Sequence, residues 1–216
     1  MHCIQLLQVP LGGRLDSIQP SWTSLVANIQ AVNGTTKVLW APQHEDENTQ
    51  GLAITWKSYD AQKKWAASTE STAWMSKIKS IAAGPLYEDI VLFSEVVDAA
   101  LGANVVELVS WIHPTSQINK EKMDKVEYGF SQVRKSISNQ APEADGDLVA
   151  GWGQIEFDHD GVPSRRFTAF IGWKSVKAHN DFKSTPLFPE NIHWLMENNH
   201  TGVEVAHYAF SKSSEE

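Results

Sequence analysis

The chain has 216 residues, is 42% hydrophobic, and carries 26 acidic against 18 basic side chains for a net charge of −8. That composition suits a folded chain with a real core, and the acidic balance, with a pI near 5.5 and no basic stripe, argues against a nucleic-acid partner. Cys3 is the only cysteine, so no intrachain disulfide forms, and no apolar run approaches the roughly 18 residues that a bilayer-crossing helix needs.

The first residues lack a basic segment followed by a longer apolar one, which points to a cytoplasmic protein without a secretory leader. Residues 3–9 read as a strand, and Cys3 within it as core. A helix follows Pro20, with helical period over 21–29, and strands are expected at 36–45 and 50–56. Trp56-Lys57-Ser58 reads as a strand running into an N-cap, because the serine oxygen accepts from the first free N–H groups of a helix. In that helix Ala61 and Trp65, four apart, are expected to face the sheet. A strand at 89–93 closes the first unit, and 94–104 is a connector. The second unit opens with an apolar strand at 105–112, then a helix near 119–139, strands near 149–156 and 169–173, a helix after Ser175, and a strand at 203–210.

The two units are copies. Residues 52–65 reappear as 169–182, with Ile, Trp, Lys, Ser and Ala at a constant offset of 117, while 38–45 matches 149–156 at an offset of 111. The second copy therefore carries a hairpin six residues longer, around Asp158-His159-Asp160-Gly161-Val162-Pro163. The order βαββαβ, twice over, predicts an α+β fold of two tandem ferredoxin-like units, 1–98 and 99–216, forming a pseudo-dimeric α+β barrel. Each unit has helices on one face of its sheet only, and the other copy covers the bare face.

Trp-Lys-Ser-x-x-Ala followed by Gln or His, together with Gly172-Trp173-Lys174-Ser175-Val176-Lys177-Ala178-His179 and Ile192-His193, resembles the antibiotic-biosynthesis-monooxygenase-like branch of the dimeric α+β barrel superfamily, in its tandem-domain fungal form. The resemblance spans residues 3 to 210. It implies the barrel and no single reaction, since that superfamily holds cofactor-free oxygenases, cyclases, haem-degrading enzymes and members without known activity. The first copy departs from the pattern: Gln62 stands in place of His179, and Ile78-Lys79 in place of Ile-His. A site using these histidines is therefore asymmetric.

Strand alternation places His207 on one face with Val203, Val205 and Ala209, and a polar ring there needs a carboxylate, a water or a ligand as partner. His44 shares a strand face with Val38, Trp40 and Pro42, while the acidic run 44–47 reads as a solvated hairpin. His179 lies at the margin of its helix's apolar face and is raised by the resemblance. His207, His179 and His44 are the candidate acid–base groups. Trp111, His113, Trp152, Trp173, His193 and Tyr208 are the candidates to line a ligand cavity, the first two as its rim or as an aromatic plug at the barrel end. Closely spaced Cys and His pairs, Gly-x-Gly-x-x-Gly, the P-loop and Gly-x-Ser-x-Gly are all missing, so neither a metal nor a cofactor is expected. The partner expected is a small apolar or aromatic molecule, with no nucleic acid and no membrane; pairing into a homodimer is left open. Three readings stand: a cofactor-independent enzyme that oxygenates, cyclises or rearranges an aromatic, polyketide-like or terpenoid-like compound by histidine acid–base chemistry; a non-catalytic binding or stress-associated barrel; and a haem-binding member. An open cavity with one polar wall in the second half favours the enzyme, and one plugged by Trp152, Trp173 and Phe170 favours the binder.

Overall fold

The computed structural model describes residues 1–13, 15, 18–196 and 198–210. The first unit runs β1 (His2–Pro10), α1 (Gln19–Gln30), β2 (Thr35–Pro42), β3 (Thr49–Trp56), α2 (Tyr59–Ala66), α3 (Thr69–Ile81) and β4 (Tyr87–Phe93). A short α4 (Asp98–Leu101) leads to β5 (Val105–Pro114), α5 (Lys120–Gln140), β6 (Ala144–Gly153), β7 (Phe157–His159), β8 (Val162–Trp173), α6 (Val176–Lys183), α7 (Leu187–Met196) and β9 (Gly202–Tyr208). The expected βαββαβ order appears twice. α3 is an element not foreseen, although Ser68 caps it and Trp74 and Ile78 bury one of its faces.

The strands form one continuous curled sheet, in the order β2-β3-β1-β4-β6-β8-β5-β9, with β7 paired to β8. Each unit thus contributes four strands in the same relative order. The units join where β4 pairs with β6, through Val91–Gly153, Leu92–Trp152 and Phe93–Gly151. At the opposite edge Gln43 bridges Tyr208, and the His44 N–H donates to the His207 carbonyl at 2.9 Å, closing the barrel. The two bare faces do bury one another, but as the inside of one hydrogen-bonded cylinder rather than as two separate stacked sheets.

Strand alternation sorts the core into three layers. Ile4, Leu6, Val91, Phe93, Val106, Leu108, Phe170 and Tyr208 fill the barrel interior. Leu7, Trp22, Trp56, Trp65 and Trp74 pack the first unit's outer face under its helices. Val109, Trp111, Phe130, Trp173 and Phe182 do the same in the second unit. A central strand covered on both sides has no solvent face, so all of β5 is buried and reads as an apolar run.

The repeated serine caps both helices: Ser58 Oγ accepts from the Ala61 N–H at 3.1 Å and Ser175 Oγ from the Ala178 N–H at 3.0 Å. In α2, Gln62 rather than Ala61 joins Trp65 among the buried residues. The longer hairpin is the β7–β8 turn, where Asp160 and Gly161 adopt positive φ of 53° and 82°, the pair of left-handed conformations that a tight two-residue hairpin requires. β2 ends at Pro42, so His44 and Glu45 lie in the following turn, not on the strand face with Val38 and Trp40.

Candidate functional site

Between the outer face of the second unit's sheet and α5, α6 and α7 lies a cavity of about 290 Å³, walled mainly by Val109, Trp111, Ile137, Trp173, Phe182 and Leu195. Its rim runs along β9, where Val203 and Val205 are exposed. Its polar lining residues are Glu107, His179, Lys183 and Asn191, and the indole N–H of Trp111 has no hydrogen-bond partner among the described residues.

Glu107 is 6% exposed in the middle of β5, and β5–β9 pairing sets it directly opposite His207. α6, started by its Ser175 cap, brings in His179, 4% exposed, and stacks its ring on Trp173 with centroids 5.1 Å apart and planes 19° from parallel. The Trp173 indole N–H donates to Glu107 Oε2 at 2.8 Å, and His179 Nε2 lies 3.4 Å from the same oxygen. On the other side of the ring, His179 Nδ1 meets His207 Nε2 at 2.7 Å. His207 Nδ1 is held in turn by Glu45 Oε1, while Glu45 Oε2 accepts the His207 backbone N–H at 3.1 Å. Glu45 belongs to the turn after β2, so the first unit completes a site that the second one builds.

Burial raises the carboxyl of Glu107, against the hydrogen bond from Trp173 that favours its charged form. Burial also depresses His179 to about 3, helped by the positive influence of His207 and Lys183. For Glu45, partial burial pushes upward, but the hydrogen bonds from His207 outweigh it and hold this carboxylate below its usual range. His179 is thus a neutral imidazole with lone-pair capacity at the wall of an apolar cavity.

Glu107, His179 and His207 each offer a ligand atom within 4.8 Å of the others, the composition of a two-histidine, one-carboxylate metal set. Their arrangement is serial rather than convergent. The two imidazole nitrogens meet at 2.7 Å, nearer than the about 3.0–3.4 Å that separates two ligands bound at about 2.1 Å to one ion. Glu107 faces Nε2 of His179, whereas His207 faces Nδ1.

Of the residues singled out from sequence, Trp111, Trp173 and His179 line the cavity, and His207 stands directly behind His179. The others lie elsewhere. His113 is buried against Trp152 with ring centroids 5.3 Å apart, and Trp152 packs on Phe167. Tyr208 is inside the barrel, stacked on Phe210 at 5.1 Å. His193 sits on α7 against Trp194, outside the lining. His44 is exposed and contributes its backbone N–H. Phe170 belongs to the barrel interior, so neither it nor Trp152 plugs the cavity. Sequence reasoning passed over Glu107, Glu45 and Lys183. Only Glu107 carried a signal, as a lone carboxylate inside an apolar strand.

No family model matches the sequence, and no curated protein matches it. Solved structures do match, over 96% of the chain in each of three cases. An anthrone oxidase-like protein aligns with a TM-score of 0.67 and 14% identity over 90% of its own chain. A protein assigned as a monooxygenase from Fusobacterium nucleatum aligns with a TM-score of 0.59 and 13% identity over 91% of its chain. Another so assigned, from Lactobacillus acidophilus NCFM, gives 0.55 and 10% identity over 92%. At these identities the likeness establishes the fold, shared along the full tandem barrel.

Proposed function

We propose that the second-unit cavity binds a small, largely apolar ring compound and removes a proton from it, with His179 as the base and Glu107 as its partner, leaving an anion that reacts with dioxygen or cyclises. The observation that carries this reading is the buried His179 imidazole, backed by a buried carboxylate, in the wall of a largely apolar cavity. The pocket is open at the Val203–Val205 rim, while His179 and Glu107 are buried, and burial strengthens the charge interaction between them.

For an activated methylene the steps balance. The base takes one C–H proton, the carbanion adds O₂ and becomes a peroxide anion, and the stored proton returns to it. Loss of the second C–H proton with hydroxide then releases one water and leaves a ketone. Anthrone is a suitable probe, because one neighbour of the fold is described as anthrone oxidase-like. Oxygen uptake is expected with wild type and to fall by about 100-fold or more in His179→Gln. Glutamine is what the first unit buries at the equivalent place, as Gln62. Unchanged uptake in a folded His179→Gln variant removes the basis of the proposal. A carrier without chemistry is the second reading, favoured by the unpaired Trp111 N–H in the wall; saturable anthrone binding without oxygen uptake by wild type selects it.

A further inference from the structure

We propose that Glu107, His179, His207 and Glu45 form a proton relay whose solvent-side terminus is Glu45, so that the first unit supplies the outlet for a base housed in the second. The inference rests on reading the cavity as a deprotonation site.

The contacts form a line with one end buried and one end wet. Glu107 and His179 line the cavity, whereas His207 does not and touches it only through His179. The His207 side chain is 6% exposed and the Glu45 side chain 42% exposed, so a proton at Glu45 is in contact with water. Three gaps separate the two carboxylates, each wanting one hydrogen, and two neutral imidazoles bring two. The chain is therefore one hydrogen short at rest.

With Nδ1–H on both rings, His207 donates to Glu45, His179 donates to His207, and Nε2 of His179 is the unprotonated base. A proton taken from the cavity onto that Nε2 fills the third gap, where it donates to Glu107. The Nδ1 proton of His179 then shifts to His207 Nε2, and that of His207 to Glu45 Oε1, which becomes a neutral acid exchanging with water. Running the shifts backward delivers a proton to the cavity and restores the starting tautomers. Lys183, the other charged group acting on this end, holds charge beside Glu107 and His179 and disfavours a lasting imidazolium there.

The first unit provides an internal comparison. Cys3 pairs with Trp56 as Val105 pairs with Trp173, so Gln5 occupies the place of Glu107. Gln5 pairs across to Ile90 as Glu107 pairs to His207. The same backbone thus carries Gln5, Gln62 and Ile90 in one unit and Glu107, His179 and His207 in the other. Amides and an aliphatic chain cannot pass a proton along. All the conducting members occur together, in the unit with the cavity, where Glu45 reaches in from the opposite unit.

Two measurements test this. In the ligand-free protein, imidazole ¹⁵N–¹H correlation spectra report the tautomers of both rings in wild type and Glu45→Gln. Glutamine can still accept from His207 but cannot take its proton. A change of tautomer or of proton exchange at His179, which Glu45 does not touch, is expected; a His179 ring indifferent to the substitution overturns the relay. This arm needs no substrate, so it decides the relay even if the deprotonation reading fails. With anthrone as probe, Glu45→Gln is expected to lose at least tenfold in oxygen uptake and to regain it with rising concentrations of small acid–base buffers, which wild type ignores. Full activity without buffer, or a loss no buffer restores, overturns it. Stoichiometric binding of zinc alone, lost in His179→Gln, also overturns it in favour of a metal site.

Discussion

Replacing His113 by leucine isolates the energetic effect of one buried imidazole. His113 is 1% exposed, neither ring nitrogen has a hydrogen-bond partner among the described residues, and burial, followed by the charges of Lys122 and His200, lowers it from 6.5 to about 4. Carried one residue past the end of β1, where the Leu11 N–H donates to the Asn48 carbonyl at 2.8 Å, the register makes Leu11, itself buried, its first-unit counterpart, so leucine has a precedent at this position of the fold. The folded value lies below the unfolded one, and between pH 6.5 and 4 the unfolded chain binds the extra proton. This contribution to stability is complete above pH 6.5 and declines as pH falls toward 4, by up to about 1.4 kcal/mol per unit. At pH 5 the loss reaches about 2 kcal/mol. Urea unfolding at pH 7 and pH 5 on wild type and His113→Leu measures it. The variant is expected to match or exceed wild type at pH 7, since an unpaired buried polar group costs about 1–3 kcal/mol, and to lose about 2 kcal/mol less than wild type on acidification. Groups common to both proteins cancel in that difference. Equal losses in the two proteins would refute the claim that this imidazole is buried in its neutral form.

Asp89 behaves with the opposite sign. It is fully buried and raised from 3.8 to about 6 by burial, so its folded form holds a proton that the unfolded chain has released, and its contribution is lost as pH rises through 6. Asp89→Asn is expected to stabilise by up to about 3 kcal/mol at pH 7.5, with the advantage shrinking below pH 5, in thermal melts at both values. At Gly51 an added Cβ would lie 2.3 Å from the ring of Tyr208. Gly51→Ala is expected to cost about 1–3 kcal/mol, and Tyr208→Leu in the same background to recover part of it in a double-mutant cycle.

Fold and site were unequally legible. The duplicated Trp-Lys-Ser and its helix were readable because capping and strand period are local, and Ser58 and Ser175 do cap. His207 stood out as a polar ring on an apolar strand face, and His179, at the margin of its helix's apolar face, through the family resemblance alone. Their contact joins two elements 28 residues apart, and nothing in either segment announces it. Glu45 was further out of reach, since its bond to His207 spans 162 residues and depends on barrel closure. Local reasoning assigned it to a solvated hairpin, and most of its neighbours there are exposed. His44 was misplaced because the strand pattern was continued past Pro42, where the ladder stops. Glu107 escaped because a single carboxylate does not disturb the apolar pattern of a strand buried on both faces.

The cylinder is sewn unevenly. One seam is a three-pair ladder between β4 and β6, while at the other the described residues join through the Gln43–Tyr208 bridge, the His44–His207 bond and the two hydrogen bonds between Glu45 and His207. The residues that close the barrel at this seam are therefore also the ones that hold Glu45 against His207.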